Sequence, residues 1–90
     1  MKYKQASSVG KRIRDCRMKK GLSIQEFASL IGKDYSYVVK YETDKRNPKD
    51  STLRMIGDIL DVSWLLLKYG EETEIKDKYG KLLIRYIVNK

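Results

Sequence analysis

Between positions 35 and 43 the chain sets Tyr35, Ser36, Val39, Lys40 and Thr43 on one side of a short helical pattern, with Val38 and Tyr41 on the other. Hydroxyls that donate or accept, an ammonium that only donates and an aromatic ring are groups for recognition by contact. Groups for catalysis are missing: there is no histidine and a single cysteine, with no glycine-rich phosphate loop and no cluster at metal-ligand spacing. An enzyme is therefore the least supported class, and no metal or cofactor is expected. Cys16 has basic neighbours in Arg12, Arg17 and Lys20, which favour a thiolate, but its place on an apolar stripe points to a buried, inert thiol.

The recognition residues need a frame, and the stretch SIQEFASLIGKDYSYVVKYE from Ser23 to Glu42 supplies one. Phe27, Ala28 and Ile31 fall at i, i+1 and i+4 and share a helix face. Ser23 and Glu26 form an S-x-x-E capping box, in which each side chain satisfies a backbone N–H left open by the helix start. Gly32 suits the position after the helix, where a left-handed backbone costs glycine little. Asp34 is the expected N-cap of a second helix, whose inner side carries Val38 and Tyr41. Ala28 is small where two steeply crossing helices nearly touch. This is the layout of a helix-turn-helix, which makes DNA the leading candidate for a partner.

Other elements pack around it. A first helix is expected from about Ser8 to Lys20, with Val9, Ile13 and Cys16 inward and Gly21 as its stop. The segment Thr43 to Lys49 holds the only proline, Pro48, and reads as a loop. A fourth helix, about Asp50 to Leu60, aligns Leu53, Ile56, Gly57 and Leu60; Ser63 caps a short fifth through Leu67, and Gly70 ends it. In the tail, Asp77-Lys78-Tyr79-Gly80 suits a three-residue hairpin loop, and LLIRYIV is rich in strand-forming types. Residues 72 to 77 and 81 to 88 thus read as a β-hairpin. The rival is a sixth helix with Leu82, Leu83, Tyr86 and Ile87 at helical spacing. Because both faces of the second strand are apolar and a lone hairpin is marginal in water, Leu82, Ile84, Tyr86 and Val88 are the candidate dimer interface.

Ninety residues make one core, with a helical domain at 1–70, its basic arm at 1–7, and a tail at 71–90. A single cysteine allows no internal disulfide, so a cytoplasmic setting is expected, without membrane association. The net charge of +8 is unevenly placed. Residues 1–20 hold eight Lys or Arg against Asp15 alone, whereas residues 21–70 balance seven against seven. The basic stretch before the motif is either a solvated face or a surface turned to phosphates.

Four segments in order, GKRIRDCRMKKGLS, the helix-turn-helix, KYETDKRNP and LRMIGDILDVSWLL, resemble the Cro and phage-repressor family, also called the xenobiotic-response-element type. The resemblance spans roughly Val9 to Tyr69. It implies a mainly α, five-helix lambda-repressor-like DNA-binding domain, here with the short C-terminal hairpin, acting as a homodimeric repressor on an inverted repeat. It places the second motif helix in the major groove. Tyr35, Ser36 and Lys40 then become base readers, with Val39 and Thr43 nearby. Ser23 and Gln25 at the start of helix 2, and Tyr37, Lys45, Arg46 and Asn47, are the implied phosphate contacts; for Tyr37 partial core packing is an equal reading. Arg17 and Glu42 occupy positions that the family pairs structurally.

The chain also departs from the pattern. Ile24 stands where a phosphate-binding glutamine is common, and Lys33 replaces an apolar residue and is expected to reach the phosphates. Thr43-Asp44 replaces the usual Asn-Gly, which disfavours a left-handed turn and brings a negative charge close to the DNA. The alternatives are an antitoxin with a toxin partner, a restriction-modification controller protein, or a domain that binds only protein; a toxin or an anti-repressor is the protein partner to expect beside DNA.

Overall fold

The computed structural model describes residues 8–70, together with the backbone of 74–76 and 82–85. Five helices run in order: α1 Val9–Lys19, α2 Ile24–Ile31, α3 Tyr35–Glu42, α4 Asp50–Leu60 and α5 Trp64–Tyr69. Each boundary follows from local chemistry. Ser8 Oγ accepts from the Lys11 N–H at the head of α1, and Ser63 Oγ accepts from the Leu65 N–H at the head of α5. The Ser23–Glu26 box is closed in both directions, at 3.0 Å and 2.8 Å. Gly32 ends α2 with φ 69°, and its N–H is bonded to carbonyls of the last turn. Asp34 differs from expectation. Its backbone has the extended cap conformation and its carbonyl accepts from Tyr37 and Val38, but its exposed side chain makes no cap bond.

Apart from Leu67, the core is the set that the helical spacings point to. Ile13, Cys16, Phe27, Ala28, Ile31, Val38, Tyr41, Leu53, Ile56, Leu60 and Leu67 form one buried cluster, with Val9 half-buried against it. Phe27 is fully enclosed, and truncating such a ring to alanine costs about 3–5 kcal/mol. Cys16 is buried, and that burial pushes its thiol above its ordinary value, against the opposing pull of Lys19. Gly57 admits the turn into α5: a Cβ there would lie 2.7 Å from the Val62 carbonyl.

Two long-range clamps were not anticipated. Gly10 lies against the end of α3 so closely that a Cβ would sit 2.3 Å from the Tyr41 carbonyl. Asp44, with φ 61°, accepts from the Gly10 N–H at 2.9 Å and from Ser8 Oγ at 2.6 Å. Its left-handed backbone is thus offset by bonds from one open N–H of α1 and from the hydroxyl of that helix's cap residue. Arg12 supplies the second clamp, donating from Nε to the Leu67 carbonyl and from Nη2 to the Lys68 carbonyl, both at 3.0 Å. Part of the basic stretch on α1 is therefore turned inward.

Beyond α5, the backbone forms short strands β1 Glu74–Lys76 and β2 Leu82–Arg85, antiparallel with Ile75 opposite Ile84. The hairpin loop expected at Asp77–Gly80, and Tyr86 and Val88, lie outside the described residues. The fold that positions the site is the five-helix unit. No helix among the described residues is long and apolar enough to cross a membrane.

Candidate nucleic-acid interface

Helix α3 has two unlike sides. Val38 and Tyr41 are buried, and Tyr35, Ser36, Lys40 and Thr43 are exposed, with Val39 between the two states. Tyr35 keeps 54% of its surface in solvent, a large exposure for an aromatic side chain on a domain of this size. A helix about 10–12 Å across with such a face fits the major groove. The Thr43 hydroxyl donates to the Val39 carbonyl at 2.7 Å, so its proton is used within the helix and its acceptor lone pairs face out.

The start of α2 lies on the other side of the turn. The N–H and the hydroxyl of Ser23 are engaged by Glu26, since the N–H donates to the carboxylate and the hydroxyl accepts from the Glu26 N–H. The same hydrogen bond from the Ser23 backbone holds the Glu26 carboxyl below its usual range, keeping it charged. What Ser23 retains for an outside anion is its hydroxyl proton; Gln25 is exposed beside it.

After α3 the chain turns sharply at Asp44, and the Lys45 and Arg46 N–H groups both return to the Lys40 carbonyl. This turn brings Arg46 over the Tyr37 ring, its guanidinium carbon 4.8 Å from the centroid. Lys33, arriving from the turn before α3, sets Nζ 5.0 Å from the same ring. Tyr37 is half-buried and leans on Tyr41, with centroids 6.0 Å apart. Of the two readings of Tyr37, partial packing in the core is what its half-burial against Tyr41 displays, while its outer side meets two cations. Burial pushes the Tyr41 phenol upward, against the opposing pull of Arg46.

These residues line a polar cleft of about 340 Å³, completed by Asn47, Lys49, Ser51 and Thr52. Among the described residues, three of those lining it are cationic and none is acidic. Lys49, Ser51 and Thr52 were not picked out from sequence, although the run KRNPK ahead of α4 is the signal that would have drawn attention to Lys49. Lys45 is exposed on the same loop. Arg17 and Glu42 form a nearly enclosed ion pair inside the frame, away from the exposed face. Among the described residues no group of three or more His, Cys, Asp or Glu is placed to hold a metal.

Five helices, a left-handed glycine turn and an exposed third helix define a helix-turn-helix domain. A family model described as helix-turn-helix matches residues 13–67. The chain belongs to this family, of the Cro and phage-repressor type, and the family is not enzymatic. The chain is similar to an SPbeta prophage-derived uncharacterized HTH-type transcriptional regulator, YonR, of Bacillus subtilis strain 168, with 35% identity over 65 residues. That match covers 72% of this chain and spans 60% of the relative's length. Among solved structures, the Bacillus subtilis biofilm regulator SinR in complex with DNA is 35% identical with a TM-score of 0.61, over 66% of this chain and 95% of that one. The P22 c2 repressor with a synthetic operator shares the fold at 21% identity and a TM-score of 0.69, over 73% of this chain and all of that one.

Proposed function

We infer that this protein is a sequence-specific, DNA-binding transcriptional regulator acting in the cytoplasm, a homodimeric repressor of an inverted-repeat operator. One observation carries the reading: the exposed side of α3 presents Tyr35, Ser36 and Lys40 while its inner side is locked into the core. Lys40 donates to guanine O6 and N7, Ser36 bonds in either sense, and Tyr35 offers its ring to a thymine methyl. Val39 and Thr43 lie at the edge of this set. Gln25, Ser23, Lys33, Lys45, Arg46 and Asn47 hold phosphates on either side and set the register without reading sequence.

The tail serves as the dimerisation element, a hairpin whose apolar residues Leu82, Ile84, Tyr86 and Val88 meet a second copy. Two recognition helices then lie about one helical turn apart, roughly 34 Å. The test is selection of bound sequences from random duplex DNA, with the stoichiometry measured on the winning site. A palindromic winner bound by two chains is the expected result; no enrichment over the input pool overturns the reading.

A further inference from the structure

We propose that Tyr37 is a positioning residue that holds Lys33 and Arg46 as a preformed pair for one backbone phosphodiester of DNA, taken into the cleft at the head of α4. This rests on the DNA-binding reading and deepens it, because Tyr37 acts through the two cations rather than by touching the phosphate.

The two cations come from different turns. Lys33 precedes α3 and Arg46 follows it, and each lies within about 5 Å of the centre of one ring. A cation over a tyrosine face is attracted by the ring quadrupole, which biases each of the two long side chains toward the ring. Both cations also line one cleft, where two like charges repel and an entering anion relieves that repulsion. The cleft supports this: Lys49, Asn47, Ser51 and Thr52 add a third cation and neutral hydrogen-bonding groups. Asp50, next to this wall in sequence, is turned to Lys68, whose ammonium binds both of its oxygens at 2.9 Å and 3.1 Å. Its charge is thereby matched on the α5 side. A tetrahedral anion with a single charge fits a site with these donors, and ordering the donors in advance lowers the entropy lost on binding.

The experiment measures binding of the full chain to a mixed-sequence DNA duplex between 50 and 200 mM salt. Tyr37→Leu changes no charge, yet is expected to weaken binding roughly 3- to 10-fold, the loss of two cation–ring contacts. Tyr37→Phe keeps the ring face and is expected to match the parent. The combined Lys33→Gln, Arg46→Gln protein is expected to lower the salt slope by about 0.9, one phosphate's share. In that background Tyr37→Leu is expected to have no further effect. Should Tyr37→Leu unfold, Tyr37→Met fills the same space without an aromatic face and carries the comparison.

Equal losses from Tyr37→Leu in both backgrounds overturn the proposal, as does a Tyr37→Phe protein as weak as Tyr37→Leu, since the hydroxyl would then be the contact. A parent chain that shows no salt-dependent binding to duplex overturns the DNA reading itself. A parent that binds while the variants are additive overturns only the role of Tyr37.

Discussion

Arg17 and Glu42 grip each other in a two-pronged ion pair that joins the first helix to the last residue of the third, Nε to Oε2 at 2.6 Å and Nη2 to Oε1 at 3.1 Å. The two side chains are 9% and 5% exposed, and Arg17 Nη1 also donates to the Leu22 carbonyl at 2.7 Å. Removing either partner leaves an enclosed charge without its counterpart. Glu42→Ala should therefore lower stability by about 3–5 kcal/mol, while replacing both by apolar residues, Arg17→Met with Glu42→Leu, should recover most of the loss. Urea unfolding of the three proteins decides this, and a single variant within about 1 kcal/mol of the parent would count against it.

Gly10→Ala addresses the contact between α1 and the end of α3. A methyl group 2.3 Å from the Tyr41 carbonyl meets backbone that cannot swing aside. The loss should reach about 1–3 kcal/mol, the range for overpacking, although alanine is the better helix former. Asp44→Ala removes the acceptor for Gly10 and Ser8 and should cost about 1–2 kcal/mol. Because both changes break one junction, the double variant should fall short of the sum; simple additivity in thermal unfolding would show the two contacts to be independent.

Lys40→Ala should weaken binding to the selected operator by about 1–3 kcal/mol and relax preference at one base pair per half-site. Competition with single-base operator variants reads this directly. A uniform loss across all sequences would make Lys40 a phosphate contact instead.

The Glu26 carboxyl, held low by the Ser23 backbone, gives the capping box a pH dependence of definite sign. Its folded pKa is depressed, so its contribution is present above the unfolded value, about 4.3, and is lost as pH falls through the folded value. Glu26→Gln should flatten that part of the stability profile between neutral and acidic pH. Parallel profiles for the two proteins would argue against the assignment.

Deleting residues 72–90 should leave a folded monomer with weakened operator binding, because the five-helix core is complete at Gly70. Sedimentation gives the answer, and a truncated chain that remains dimeric would move the interface elsewhere.

The frame is readable in the sequence where neighbours along the chain decide it. Phe27, Ala28 and Ile31 share a face through the helical repeat, the Ser23–Glu26 box closes within four residues, and Gly32 takes the left-handed turn that its lack of a Cβ permits. Contacts between distant parts are not encoded in any local pattern. The bond from Gly10 to Asp44 spans 34 positions and that from Arg12 to Leu67 spans 55. Asp44 shows the cost of local reasoning: its side chain disfavours a positive φ, yet bonds to α1 hold it there. Asp34 errs in the other direction, with a good capping residue whose carboxylate caps nothing. For the interface, the outward set on α3 follows from periodicity. The convergence of Lys33 and Arg46 on Tyr37 depends on two turns whose directions only the folded chain defines.

The reach of Arg12 to the last carbonyls of α5 bears on the order of synthesis. The first helix of the domain to be made carries a side chain whose hydrogen-bond acceptors, Leu67 and Lys68, are made more than fifty residues later. Until those carbonyls emerge, the earliest helix is held by an incomplete set of contacts. The domain thus closes as a ring, its oldest segment sealed by its newest.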